Sequence, residues 1–302
     1  MEKYSFRPAT FADIENVYTL IVNQDKLDYG NTIITMNDLQ KRWLNSEIQA
    51  NTSVAIVGGK LAGYAELQDR DSLSIYLAER DNVSLGSKLL NMLEEKAKQQ
   101  NSQDVELGTR VSEKNQALLQ IFLASGYKSD FSFLIMELNQ DMPPATPIWP
   151  EGIQVRAFVI GQDERAIYQV DEEASQDKGY YHALDFEGWS KRMGLNHERF
   201  DPSLWFLAYE DNNIVGVALN IYDRASETAW VDHLGVRRAW RNRGIGTALL
   251  LHTFGELYRR GIAHIQLSVD TKSITNAPRL FEKVGMKTIQ KYHIYNKTIK
   301  SE

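Results

Sequence analysis

The chain contains no cysteine, which removes disulfides, thiolate nucleophiles and cysteine metal sites from consideration. It has no apolar run near the roughly 18 residues that a membrane-spanning helix needs. Its start, Met1-Glu2-Lys3-Tyr4-Ser5-Phe6-Arg7, lacks the apolar core of a secretory signal. The expectation is a cytoplasmic protein with no membrane partner. Positive charge is also scarce: 34 Lys and Arg face 40 Asp and Glu, for a net charge of -6. That balance disfavours nucleic acid as a partner, because displacing counterions from phosphates needs a basic surface. The six histidines, His182, His197, His233, His252, His264 and His293, show no close pairing of the His-x-x-x-His kind. No metal is assigned.

Proline is scarce as well, and unevenly spent. Four of the seven prolines fall at Pro143, Pro144, Pro147 and Pro150. Proline fixes φ and donates no hydrogen bond, so this stretch reads as an extended linker. The expected division is 1–140, a linker at 141–151, and 152–302. At 302 residues two domains fit the usual domain size of about 150 residues, and oligomeric state is not readable.

The two halves follow one plan. Each opens with a short strand and an amphipathic helix pattern, at 6–9 with 11–21 and at 155–157 with 163–174. Each continues with a hairpin, turning at Gly58-Gly59 and at Asp211-Asn212-Asn213. A further strand then leads to a glycine-containing helix start, at Gly86 and at Gly246, and a last helix pattern closes on Gly126 or Gly285. Gly63 with Gly216 and Phe122 with Phe281 keep the same order. The reading is an internal duplication of one α/β unit, with an α+β mixed sheet in each copy.

Chemistry concentrates in the second copy. The strand pattern Trp230-Val231-Asp232-His233-Leu234-Gly235-Val236 runs into Arg237-Arg238-Ala239-Trp240-Arg241-Asn242-Arg243, and Gly244-Ile245-Gly246 then opens a helix expected over 247–260. Unpaired N–H groups at a helix start, the positive end of its dipole and glycines that admit a ligand to the backbone make an anion cradle. Flanking arginines add charge-assisted bonds. The ligand should therefore carry phosphate. Neither a nucleoside-triphosphate loop nor a dinucleotide fingerprint is present, so a kinase or a dehydrogenase does not fit.

At these residues the sequence resembles the GNAT family of acyl-CoA-dependent N-acetyltransferases, whose diphosphate loop reads Arg/Gln-x-x-Gly-x-Gly/Ala after a strand ending in Val. Arg241, Gly244, Gly246 and Val236 fill that pattern. The resemblance spans about 153–299, reaches 4–138 through the duplication, and extends to a tandem GNAT architecture of the mycothiol-synthase type. It implies acetyl-CoA as co-substrate, held by Leu234, Gly235 and Val236 through strand backbone and by Arg241, Asn242, Arg243, Gly244, Ile245, Gly246 and Thr247 at the diphosphate. Asn276 and Phe281 would lie on the following helix beside the coenzyme, and 291–299 would close the sheet. The implied reaction is direct attack of a primary amine of a small molecule or peptide on the thioester in a ternary complex, without a covalent enzyme intermediate.

Two departures from the family bear on proton transfer. Phe281 stands where the family often has the tyrosine that protonates the thiolate, and Ile274 where it often has an asparagine. Tyr292 and Tyr295 on the final strand are substitutes for the acid. For the base, Asp232 and His233 are the candidates. Strand alternation places Asp232 with Trp230 and Leu234 and puts His233 on the other face. Bases on this strand of the family usually lie an even number of residues before the Val, which favours Asp232, and a buried Asp232 would have a raised pKa.

The first copy reads Asp81-Asn82-Val83-Ser84-Leu85-Gly86 at its loop, with a carboxylate where the arginine belongs. A like charge repels diphosphate, so 1–140 reads as a degenerate repeat. On the acceptor side, Asp171, Glu172, Glu173 and Asp177 stand near Tyr180, Tyr181 and Trp189, which suits a cationic amine or a solvated helix end with aromatics turned inward. The rival reading of the whole chain is a non-catalytic acyl-CoA-binding module.

Overall fold

The computed structural model describes every residue except 1–3, 31, 33, 46, 69–70, 179–180, 196–199, 225, 274 and 302. In chain order the first repeat runs β1 (Ser5–Arg7), α1 (Ile14–Tyr29), α2 (Met36–Asn45), α3 (Ile48–Asn51), β2 (Thr52–Val57), β3 (Lys60–Gln68), β4 (Ser72–Leu77), α4 (Val83–Gln100), β5 (Val105–Ser112), α5 (Gln116–Ala124) and β6 (Lys128–Asn139). The second runs β7 (Ile153–Ala157), α6 (Glu164–Ser175), α7 (Phe186–Arg192), β8 (Trp205–Glu210), β9 (Asn213–Asp223), β10 (Thr228–Val236), α8 (Ile245–Arg259), β11 (His264–Asp270), α9 (Ala277–Lys283) and β12 (Lys287–Ile299). The expected elements are present, most displaced by one to a few residues at their ends.

In space the chain forms two compact units, 1–132 with 290–302, and 133–289. The boundaries fall inside β6 and β12. In the first unit β12 pairs antiparallel with β5, from Tyr292↔Ser112 to Ile299↔Val105. In the second, residues 133–139 of β6 pair antiparallel with β11, from Asp270↔Phe133 to His264↔Asn139. The final strand thus completes the sheet of the first unit, whereas the sequence placed it in its own repeat. The hydrophobic alternation of such a strand suits either sheet equally, so pattern alone does not choose. The proline-rich stretch has neither helix nor strand at 140–150, and Trp149 packs edge-on to His252 of α8.

Each sheet is covered on both faces. In the second unit Val217 and Leu219 of β9 face α6 and α7 in one cluster with Ile167, Val170, Trp189 and Trp205. Ala218 between them faces the other way, toward Ile245 and Leu249 of α8. This period-two alternation is what a strand buried on both sides requires. Burial of a side chain such as Phe254 or Leu249, each without solvent exposure, is worth about 1.5–3 kcal/mol. The first unit repeats the plan, with Val54 and Tyr64 against α1 and α2 and Ala55 and Ala65 against α4 and α5.

The duplication extends to side chains. Arg7 holds Asp13 with two hydrogen bonds of 2.7 Å, and Arg156 holds Asp163 with two of 2.6 and 2.7 Å. Both aspartates stand at the start of the first long helix. Gly63↔Leu77 and Gly216↔Val236 are the matching pairs of the central hairpins.

Candidate active site

β10 shares one feature with its counterpart β4, a parallel pairing that gives out part-way along the strand, and departs from it in another. It pairs with β11 in parallel over Thr228↔His264, Ala229↔Ile265 and Trp230↔Gln266, where the register ends. Beyond Trp230 the side of β10 turned away from β9 is an open strand edge. Against β9 the register slips between Val231↔Asn220 and His233↔Leu219. Asp232 is the extra residue of this β-bulge, a device that re-aims side chains and is common beside active sites. β4 pairs with β3 without a slip, from Gly63↔Leu77 to Gln68↔Ser72.

The bulge changes what alternation assigns to the two base candidates. Asp232 is not buried: its side chain is 42% exposed, against 14% for His233. The burial expected of Asp232 is therefore absent. The His233 ring points to α6, where Nδ1 lies 2.7 Å from Asp171 Oδ1. The Asp171 carboxylate is 2% exposed and accepts the Trp189 indole N–H at its other oxygen, at 2.9 Å. Burial pushes this carboxyl up, but the bonds from His233 and Trp189 outweigh it and hold it below the ordinary carboxylate value. On its other side, His233 Nε2 lies 3.8 Å from Asp232 Oδ2.

Ladder geometry aims the backbone of β10. Arg237 N–H donates to the Val215 carbonyl at 2.9 Å, so Gly235 and Arg237 face β9. Leu234 and Val236 then turn their N–H and C=O groups to the open edge. A Cβ on Gly235 would lie 2.9 Å from the Ala174 Cβ of α6, so only glycine permits this approach of helix to strand.

The loop after β10 makes a turn at Arg238–Trp240, passes Asn242 at φ 61 and reaches Gly244 at φ 90. Gly244 is the N-cap of α8, its positive φ is why glycine stands there, and no side chain caps the helix. The first bond of the helix to the cap is Ala248 N–H to the Gly244 carbonyl, so the N–H groups of Ile245, Gly246 and Thr247 are the orphans that an anion can take. Arg241 Nε is tied to the Val236 carbonyl at 3.0 Å, which fixes its guanidinium beside the strand end. The residues present therefore fit a coenzyme diphosphate at the helix start and an amide-bearing arm along the strand edge. Asn276 is the N-cap of α9 at φ 55, and Phe281 is buried in the core with Met286 and Phe254. Ile274 lies outside the described residues.

The acidic segment is already engaged. Asp171 holds His233, and Glu172 accepts the Tyr181 hydroxyl, a bond that pushes this phenol up to about 12. Glu173 accepts from Arg237 at 3.2 Å. Asp177 accepts from Arg238 at 2.5 Å and also from Arg241. The partners of Glu173 and Asp177 are loop arginines, so these acids do not present a free acidic surface. Tyr180 and His197 lie outside the described residues. Tyr292 and Tyr295 belong to the first unit, where Tyr295 packs against Phe122 and Arg110 sits over the ring of Tyr292. Among the described residues no group of three metal-ligating side chains occurs, and no helix is long and apolar enough to cross a membrane.

The first unit closes the equivalent places with its own side chains. Asn82 caps α4 and accepts the Leu85 N–H at 3.0 Å. Gln24 of α1 donates to the Ile75 carbonyl at 3.1 Å and accepts the Leu77 N–H at 3.0 Å. By the hairpin register these groups match Leu234 C=O and Val236 N–H. Eleven residues beyond each helix-starting aspartate, α1 has Gln24 and α6 has Ala174. Eight residues beyond, α1 has Ile21 and α6 has Asp171.

Sequence reading missed the partnership of Asp171 with His233, 62 positions apart. The available signal was Asp171 itself: it falls on the apolar face of α6 with Ile167 and Val170, and a carboxylate there needs a partner.

A model of the acetyltransferase (GNAT) family matches residues 165–286. A GCN5-related N-acetyltransferase from Sphaerobacter thermophilus is 31% identical, with 98% of this chain and 96% of that chain covered at a TM-score of 0.81. The chain belongs to the GNAT family of N-acetyltransferases. A mycothiol acetyltransferase of Streptomyces bingchenggensis is 25% identical over 292 residues, covering 91% of this chain and 90% of that protein. A tandem GNAT protein from the clavulanic acid biosynthesis pathway is 13% identical and covers 99% of this chain and 100% of that chain at a TM-score of 0.71, a likeness of fold. The protein is a tandem GNAT enzyme that uses acetyl-CoA as co-substrate and acetylates an amine.

Proposed function

We propose that this acetyltransferase holds one acetyl-CoA per chain, in the second repeat, and passes its acetyl group directly to a primary amine with His233 as proton acceptor. The observation that carries this reading is the uncapped N-terminus of α8 next to the open edge of β10. Arg241, Asn242, Arg243, Gly244, Ile245, Gly246 and Thr247 receive the diphosphate, and Leu234, Gly235 and Val236 receive the pantetheine arm. Asn276 and Phe281 flank the coenzyme from α9. Residues 1–140 serve as a degenerate repeat, joined by 141–151 to 152–302, and Gln24 and Asn82 occupy in it the groups that a coenzyme needs.

The bound thioester supplies an electrophilic carbonyl. The Leu234 N–H, turned to the gap, is placed to receive the oxygen charge that develops there. An amine arrives at neutral pH as ammonium and must lose a proton before it attacks. Asp232, exposed beside Nε2, attracts the cation, and His233 Nε2 accepts the proton. With phenylalanine at 281 the departing thiolate takes its proton from water. The acceptor class follows the relatives: an amine of the kind that the mycothiol acetyltransferases acetylate heads the panel of small-molecule amines, ahead of peptide N-termini. We place the enzyme in the cytoplasm, with its coenzyme.

The test is thiol release from acetyl-CoA with each amine, checked by mass of the acetylated product. Amine-dependent turnover that falls at least 100-fold in His233→Gln supports the reading, and coenzyme binding without turnover on any amine sinks it.

A further inference from the structure

We propose that Asp171, backed by Trp189, is the positioning residue of the transfer: it takes the Nδ1 hydrogen of His233 and so leaves Nε2 as the proton acceptor facing the coenzyme gap. The proposal rests on the reading of His233 as that acceptor.

Both oxygens of Asp171 are committed, one to His233 Nδ1 at 2.7 Å and one to Trp189 Nε1 at 2.9 Å. An ionised carboxylate only accepts, so Nδ1 must carry the hydrogen. In the neutral ring the lone pair then sits on Nε2. The indole that fixes the carboxylate is itself fixed. Trp189 is fully buried, stacked on Phe186 at 6.1 Å and set edge-on to Trp205 at 6.3 Å. The ring is thus held from α6 and α7, while the bulge in β10 turns it to them. On the Nε2 side, 3.8 Å to Asp232 Oδ2 is too long for a hydrogen bond and short enough for an ammonium to touch both groups. Two protons leave the nitrogen: one ammonium hydrogen passes to Nε2, the freed amine bonds the thioester carbon, the C–S bond breaks with sulfur leaving as thiolate, and the second hydrogen, shed as the amide forms, passes through water to that thiolate.

The same molecule contains the control. The first unit has Ile21 in place of Asp171 and, by the Gly63↔Leu77 register, Ser74 in place of His233. The pair occurs where the helix N-terminus is uncapped and is missing where Asn82 caps it. A mere tie between the helix and the strand would have no reason to follow the coenzyme loop.

The charged groups around the imidazole are Asp171 on α6, Lys178 and Glu172 near it, Arg192 of α7 at 3.7 Å from Asp171, and Asp232 on its own strand. Steady-state kinetics of the full chain across pH separate the roles. In Asp171→Asn the new amide still accepts from Trp189 but donates to Nδ1, which moves the hydrogen to Nε2. The expected result is a loss of kcat by about 10²–10⁴-fold, an unchanged CoA affinity, and an acidic limb of the pH profile shifted to lower pH as the neighbouring negative charge is removed. Wild-type kcat and an unmoved limb, with only a lowered melting temperature, overturn the proposal. Should Asp171→Asn fail to fold, Trp189→Phe answers the question. Loss of the indole donor makes the carboxylate more basic and shifts the limb to higher pH, and an unmoved limb with wild-type kcat overturns the proposal. Full activity in His233→Gln rejects the acceptor reading itself. Inactive His233→Gln beside fully active Asp171→Asn rejects the positioning role alone.

Discussion

The Gln24 carboxamide oxygen accepts the Leu77 N–H at 3.0 Å while its nitrogen donates to the Ile75 carbonyl at 3.1 Å, so one side chain of α1 satisfies the strand edge that its repeat leaves open. An amide of pantetheine would make the same two bonds. Replacing Gln24 with Leu keeps the volume and leaves both backbone groups without a partner. The expected cost is about 1–3 kcal/mol in urea unfolding, with the affinity for CoA by calorimetry unchanged.

Gly235 and Ala174 are in contact across the α6–β10 packing. In Gly235→Ala a methyl would stand 2.9 Å from Ala174 Cβ, so the helix that carries Asp171 must move away from the strand that carries His233. Overpacking of this kind costs about 1–3 kcal/mol. The expected outcome is a lower melting temperature together with a kcat reduced at least tenfold, since misplacement of reacting groups by about 1 Å costs on the order of 100-fold. Kinetics and a thermal melt on one preparation check both.

Asp177 lies on Arg238 and Arg241, and those bonds hold its carboxyl below the ordinary value. It occupies guanidinium donors that a diphosphate would use. Asp177→Asn should tighten CoA binding several-fold and steepen its salt dependence. Titrations at two ionic strengths measure this, and weaker binding would mean that Asp177 shapes the loop more than it competes.

The Arg7 hydrogen bonds lower Asp13 to about 2 from its usual 3.8. A depressed folded-state value means that the stabilisation is complete above about pH 4 and is lost as pH falls through 2. Asp163, paired with Arg156, is lowered too. Asp13→Asn should therefore melt lower than the wild type at pH 6, with the difference closing by pH 2. Melting curves across that range decide.

Much of this was legible in the sequence, for physical reasons that can be named. Arg241, Gly244 and Gly246 are local features, and a loop whose function lies in backbone N–H groups and positive φ shows itself through glycine. Paired hairpins and helix starts exposed the duplication in the same way. The exchange of β6 and β12 was hidden because a strand's alternation does not say which sheet receives it. The bulge at Asp232 was hidden because one extra residue leaves no mark in composition. Gln24 and Asp171 read as ordinary helix residues until the strands they touch are in place.

Calorimetric titration of the full chain with CoA tests the central claim most directly. Gly246 has room for a side chain, the nearest atom to an added Cβ being Leu280 Cδ2 at 3.5 Å, so Gly246→Asp places a carboxylate at the orphan N–H groups with little strain. The account predicts one site per chain in the wild type and at least tenfold weaker binding in Gly246→Asp. Two sites per chain, or a single site indifferent to Gly246→Asp, would contradict it.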